Sequence, residues 1–297
     1  MKFLNIIRTF ILGLLLLTAA VTNAQQSKME SAFKFYEQNN LESAKADINA
    51  AISNPETAKD AQAWQIRGYI YKSIYKNEKS NKQSPARLEA LKSIKKSEGF
   101  DTKKEYLQLN INAAQYLIST LSNDAVEFLD PVDYEKAIEL EKKIIEYYPL
   151  MDSSITNQQK QEIAFDENLG TVYSSILDKS PENTKFVNLA KGIYERILTL
   201  DPDNITANLN MGLLYFNRGV NLIISSDMEM DITKLEPMQE KSVKLFKESL
   251  PFMERAYDIN PNKIVVLQGL KGIFHALHDE EKFNFYQKKI EEINKQK

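Results

Sequence analysis

The chain has 297 residues, a formal net charge of −3, nine glycines, nine prolines and no cysteine. Glycine and proline together are about half as frequent as in an average protein, which favours an all-α fold over a turn-rich β-sandwich or barrel. The lack of cysteine excludes disulfides, thiolate metal sites and a thiol nucleophile. The mildly acidic, interspersed charges lack the basic stripe that attracts a phosphate backbone, so no nucleic-acid partner is expected.

The first 24 residues have the pattern of a secretory signal peptide. Lys2 and Arg8 form a basic end, residues 10–21 form an apolar run, and residues 22–24 provide small side chains before Gln25. This order is typical of an export signal that is removed, and the run is shorter than the ~20 apolar residues that span a bilayer. The sequence therefore predicts an exported mature chain, periplasmic or secreted, without a membrane span; a retained anchor is the alternative.

A recurring helical motif follows the signal. Residues 205–261 show it best, with Gly212 and Tyr215 in a first helix and Ala256 in a second helix that ends at Pro261. The same spacing of a glycine three residues before a tyrosine recurs at Gly68 and Tyr71, and at Gly170 and Tyr173. Weaker copies of the motif begin near residues 25, 106 and 264. A fixed motif repeated along a chain is typical of a solenoid of stacked units.

These motifs match the pattern W-x2-L-G-x2-Y…A-x3-F…P, and the chain resembles the tetratricopeptide repeat (TPR) family. The resemblance implies a right-handed α-α superhelix, a TPR solenoid of about six helix pairs, each with a helix A and a helix B. Repeats 1–3 are expected in residues 25–151, a connector in residues 152–162 and repeats 4–6 in residues 163–297, as one continuous solenoid. Small residues let helices A and B approach closely, and a proline stops helix B.

Some residues depart from the family pattern. Glu141 stands where helix B normally carries an aromatic residue, Ser249 replaces the usual alanine, and Phe283 takes that position in the last repeat. Pro251 lies inside the helical run of residues 239–260. Because proline lacks an N–H, helix B either begins close to Pro251 or kinks there.

Four of the repeats are longer than the family's, and the extra length falls between the tyrosine of helix A and the small residue of helix B. The largest excess lies in residues 221–240 and includes several apolar side chains. Two interpretations stay open. The extra residues form loops on one edge of the solenoid, where they could meet a partner, or they simply lengthen helices A and B.

No motif for catalysis, nucleotide binding or a metal centre is present in the sequence. His275 and His278 are spaced i,i+3, but no clear third ligand accompanies them. We therefore expect no enzyme activity, no cofactor and no metal site.

In TPR proteins the concave groove is lined by residues of helices A. The resemblance implies that the groove of this chain is lined by Phe33, Tyr36, Gln65, Tyr69, Lys72, Asn110, Glu167, Leu209, Leu213, Phe216 and His275. Clustered exposed aromatic residues usually mark a recognition surface. The function expected is a non-enzymatic scaffold that binds a protein or peptide; the alternative is a binder of glycans or small ligands through the aromatic side chains.

Overall fold

The structure, a computed structural model, describes residues 28–79, 81–225 and 232–295, and within these ranges every regular element is a helix. The predicted signal peptide lies outside the described residues. In chain order the helices are α1 (residues 28–37), α2 (Leu41–Ile52), α3 (Ala61–Asn77), α4 (Pro85–Phe100), α5 (Leu107–Glu127), α6 (Tyr134–Tyr147) with a 3-10 turn (Tyr148–Leu150), α7 (Ile155–Lys179), α8 (Thr184–Leu200), α9 (Ile205–Ile224), α10 (Ile232–Ile259), α11 (Ile264–Ala276) and α12 (Glu280–Lys295).

The structure shows contacts within the predicted pairs α1–α2, α3–α4, α7–α8, α9–α10 and α11–α12. Gly68 of α3 faces α4, where an added Cβ would lie 3.0 Å from Cγ1 of Ile94. Gly170 of α7 faces Tyr194 of α8, and Gly212 of α9 faces Met253 of α10. The helix-B positions expected to be small are fully buried, at Ala44, Ala90, Ala137, Ala190 and Ser249. The predicted all-α, TPR-like helix-pair fold is therefore confirmed.

The chain divides into two compact units. The first comprises the described residues up to Glu127 together with Lys136–Gln158. In it, α2 packs on α3 and α3 packs on α4. The buried side chains of Ala32, Ile48 and Ile70 belong to one hydrophobic cluster of α1, α2 and α3.

The second unit comprises Phe128–Glu135 and the residues from Gln159 onwards. Its main hydrophobic cluster lies among α9, α10, α11 and α12, with Phe246, Met253, Leu270 and Phe274 among its buried members. Ser249, which replaces the usual alanine, is buried there and donates a hydrogen bond from Oγ to the carbonyl oxygen of Gly212 at 2.7 Å. This bond satisfies the hydroxyl, so the departure from the family pattern is accommodated.

The extra length of the repeats lies largely in longer helices rather than in loops. Helix α7 has 25 residues and begins at Ile155, so most of the segment expected to be a connector is helical. Of residues 221–240, those up to Ile224 belong to α9 and those from Ile232 belong to α10. Helix α10 runs through Pro251, so helix B does not begin there. Residues 226–231 lie outside the described part of the chain.

Helix starts are fixed by side-chain caps. Asp60 accepts hydrogen bonds from the backbone N–H groups of Gln62 and Ala63 at the start of α3. Asn204 accepts one from Ala207 N at 2.8 Å at the start of α9, whereas Asn183, at the start of α8, makes no such bond. Each cap satisfies an N–H group that has no partner within the helix.

Replacing Asn204 by alanine should therefore lower the free energy of unfolding by about 1 kcal/mol, the usual contribution of a cap. Asn183→Ala is the matched control, since its side chain caps nothing, and it should change stability much less. Chemical denaturation followed by circular dichroism measures both. Equal losses in the two variants would contradict the capping role of Asn204.

None of the helices in the described ranges is long and apolar enough to cross a membrane.

Candidate functional site

Aromatic and lysine side chains of three helices A, α1, α3 and α5, make up the candidate site in the first unit. The ring centroids of Phe33 and Tyr36 in α1 are 6.4 Å apart. Tyr69 of α3 donates a hydrogen bond from its hydroxyl to the carbonyl oxygen of Leu109 in α5, at 2.9 Å. We call this the aromatic–lysine surface and define it by Phe33, Tyr36, Tyr69, Lys72, Lys76, Leu109 and Tyr116.

The two lysines lie over the rings of this surface. Lys72 Nζ is 4.1 Å from the ring centroid of Tyr69, and Lys76 Nζ is 4.6 Å from that of Tyr116. An ammonium over an aromatic face is attracted by the negative potential of the ring. The contact of Lys72 lies within α3, whereas the contact of Lys76 joins α3 to α5, as the Tyr69 hydrogen bond does.

The charges of the surface are closely spaced. Burial lowers the pKa of the Lys72 ammonium, and the charge of Lys76 lowers it further. Burial raises the pKa of the Tyr69 phenol, and Tyr36 adds to that rise. A carboxylate placed beside Lys72 and Lys76 would relieve the repulsion between the two ammonium groups.

Helix α3 is held so that Tyr69 and Lys72 face away from α2 and α4, the two helices that Arg67 contacts. Arg67 is buried, and its guanidinium hydrogen-bonds to Asn49 of α2 at 2.9 Å and to Glu89 of α4 at 3.0 Å. Since the next side chain on a helix points about 100° away, Tyr69 leaves the packed face on which Arg67 and Gly68 lie. The fixed register of Arg67 thus positions the surface.

The surface keeps two large apolar side chains in contact with solvent. Phe33 is 45% exposed, and Leu109 of α5 is also 45% exposed. Tyr36, Gln65, Tyr69 and Lys72 are half-buried, so parts of each remain accessible. A ligand that covers this surface would remove apolar area from water.

Two residues of the predicted groove are buried instead. Asn110 is 2% exposed and donates from Nδ2 to Ser97 Oγ at 3.0 Å. Leu209 is 7% exposed and lies in the hydrophobic cluster of the second unit. Both therefore serve packing, and neither offers a contact to a ligand in this structure.

The other predicted groove residues lie in the second unit. Glu167 accepts a hydrogen bond from Asn204 Nδ2 at 3.0 Å. Phe216 packs its ring 5.6 Å from that of Phe246, between centroids. Leu213 is half-buried, and His275 is exposed, with its ring centroid 5.2 Å from that of Phe283.

Sequence reasoning did not single out Lys76, Leu109 or the exposed part of Tyr116. The spacing of Lys72 and Lys76 is i,i+4, which places both on one face of α3. Tyr116 stands at the tyrosine position of the third repeat, which the motif assigns to packing. Within the described ranges, no group of three His, Asp or Glu side chains is placed to hold a metal ion.

Comparison with known proteins gives structural matches only. No protein-family model and no curated protein sequence matches this chain. The structure titled human IFIT1 dimer with m7Gppp-AAAA matches at 11% identity with a TM-score of 0.36, over 90% of this chain but only 50% of that one. Pseudomonas aeruginosa pilF matches at 13% identity and a TM-score of 0.34, over 93% of this chain and 98% of that one.

The structure of YrrB, titled a TPR protein with an unusual peptide-binding site, matches at 16% identity and a TM-score of 0.23, over 81% of this chain and 89% of that one.

Proposed function

We propose that this protein is a non-enzymatic scaffold that binds a protein or peptide segment through the aromatic–lysine surface. The observation that carries the proposal is that Tyr69 of α3 reaches α5 through its hydroxyl and contacts Lys72 through its ring, while Tyr36 of α1 packs against the hydrophobic cluster that α1, α2 and α3 share. The basic, apolar and small-residue order of residues 1–24 supports action in the cell envelope or outside the cell.

The chemistry of the surface favours one class of segment. Phe33 and Leu109 offer exposed apolar area, and aromatic side chains carry much of the binding energy at protein interfaces. Lys72 and Lys76 add two neighbouring positive charges, which attract carboxylates and speed association. The fitting partner segment has apolar or aromatic side chains next to aspartate, glutamate or a terminal carboxylate.

A random-peptide phage library, selected against the purified chain, tests this expectation. The selected peptides should be enriched in apolar and acidic residues, and their affinity is then measured by fluorescence anisotropy. A glycan array is run in parallel, because sugar rings also stack on aromatic side chains. Binding on the glycan array alone would contradict the proposal and favour the glycan alternative.

Phe33→Ala should weaken binding of the selected peptide by about 5- to 30-fold, the effect of losing an aromatic anchor. The matched control is Phe285→Ala in α12, because Phe285 is similarly exposed, at 50% against 45% for Phe33. The control should bind as tightly as the unaltered chain. Equal affinities for both variants would contradict the assignment of the surface.

Charge is tested separately with the double substitution Lys72→Ala and Lys76→Ala. It should weaken binding of the acidic peptide. It should also make the affinity depend less on salt concentration, because salt screens the charges that the substitution removes. An unchanged salt dependence would show that the two lysines do not contact the peptide. Circular dichroism of each variant confirms that the helices are retained.

A further inference from the structure

The second unit contains a cavity of about 340 Å³ that is separate from the aromatic–lysine surface. Helices α7, α8 and α9 wall it. Its volume is within the range of ligand pockets, which measure about 300–1,000 Å³. The question is which ligand the walls can recognise.

The apolar part of the cavity is formed by side chains from all three helices. Leu177 of α7, Val187 of α8, and Leu213 and Leu214 of α9 line it. Val187 is 5% exposed, and the three leucines are half-buried. These side chains can cover a branched aliphatic group of a small molecule.

Two of the polar residues that line the cavity are already engaged. Ser174 Oγ and the Tyr194 hydroxyl are 3.2 Å apart and share a hydrogen bond. The side chain of Asn210 also hydrogen-bonds to the Tyr194 phenol. Tyr194 is 1% exposed, so this group of residues forms a fixed polar part of the wall.

Four other polar side chains line the same cavity: Asp178 of α7, and Asn217, Arg218 and Asn221 of α9. Among the residues that the structure describes, none donates or accepts a side-chain hydrogen bond or forms an ion pair with these four. Asn217 and Asn221 are spaced i,i+4, so they lie on one face of α9. The cavity thus presents a carboxylate on one wall, and a guanidinium with two amides on another.

We propose that this cavity binds a small zwitterion with an apolar side chain, either a free aliphatic amino acid or a short aliphatic peptide. The ligand carboxylate pairs with Arg218, whose planar guanidinium matches a carboxylate in two parallel hydrogen bonds. The ligand ammonium pairs with Asp178, close to the C-terminal end of α7, where the helix dipole also favours a cation. Asn217 and Asn221 supply donors and acceptors for the remaining polar atoms, and the leucines cover the aliphatic group.

Ligand analogues test the proposal on the unaltered protein. Leucine, Leu-Leu and Leu-Leu-Leu are titrated by isothermal calorimetry. The one that binds most tightly shows whether the cavity prefers a free amino acid or a peptide. Blocking its ammonium by acetylation, or its carboxylate as the amide, should each weaken binding at least tenfold. Equal binding of the blocked and unblocked ligands, or no binding of any of the three up to millimolar concentration, would overturn the proposal.

Substitutions of residues that line the cavity test where the ligand binds. Arg218→Gln and Asp178→Asn should each weaken binding of the tightest ligand at least tenfold. Leu214→Trp should abolish binding, because the larger side chain fills the cavity. The control is Arg255→Gln in α10, outside the cavity, where Arg255 pairs with Asp203 at the surface. Unchanged affinity in all three cavity variants would overturn the site, and the analogue titrations still decide the outcome if a variant fails to fold.

Discussion

Replacing Asp124 by leucine should lower the free energy of unfolding by about 3–5 kcal/mol, because it leaves a buried arginine without its carboxylate. Arg87 of α4 is 2% exposed, and its Nη1 lies 2.6 Å from Asp124 Oδ2 in α5. The same guanidinium donates to the hydroxyl of Tyr75 in α3 at 3.1 Å. The substitution therefore disturbs three helices of the first unit at once, and urea denaturation measures the loss.

Two controls separate the buried charge from the loss of a contact. In the double variant Arg87→Met and Asp124→Leu no charge is stranded, so most of the stability should return. Asp203→Ala breaks the exposed pair with Arg255 and should cost at most about 1 kcal/mol. A double variant no more stable than Asp124→Leu alone would contradict the role given to the charge.

Gly212→Leu should be the second most damaging substitution, at about 1–3 kcal/mol, because it overpacks the contact between α9 and α10. A Cβ at residue 212 would lie 2.6 Å from Cγ of Met253, which is fully buried. Met253 also packs against Gly269 of α11, where an added Cβ would lie 2.9 Å from its Cε. The methionine thus has little space into which to retreat.

The matched control is Gly192→Ala in α8, where an added Cβ meets nothing within 4 Å. This substitution should raise stability by about 0.5–1 kcal/mol, because alanine favours the helix and restricts the unfolded chain. Thermal and urea unfolding compare the two variants. A Gly212→Leu chain as stable as the unaltered one would show that the register of this pair is wrong.

The helix pairs could be predicted because two helices that approach closely require a small residue at the contact. Gly68, Gly170 and Gly212 each face a side chain of the partner helix at a distance that excludes a Cβ without movement. The lengths of the helices were harder to predict. Residues 221–240 contain few turn formers, and their apolar residues fit either a loop that meets a partner or the end of a helix; the structure continues α9 and α10 into this segment.

The sequence predicted only part of the candidate surface, and that part lies in the first unit. Phe33, Tyr36, Tyr69 and Lys72 were singled out from their positions in the repeats. In the structure the Tyr69 hydroxyl reaches α5 and Lys72 lies over the Tyr69 ring. Asn110 and Leu209 hold corresponding positions but are buried, because burial depends on what the neighbouring helices place over each residue. A repeat motif specifies the contact within a pair and says less about the contacts between pairs.

The division of the chain into two units has a consequence for proteolysis of the chain and for recombination of its gene. Phe128–Glu135 belongs to the second unit, although the residues on both sides of it belong to the first. Its Tyr134 ring lies 5.5 Å from Tyr173 and 5.9 Å from Phe186, between centroids. No single break in the chain, by a protease or by recombination of its gene, yields both units whole.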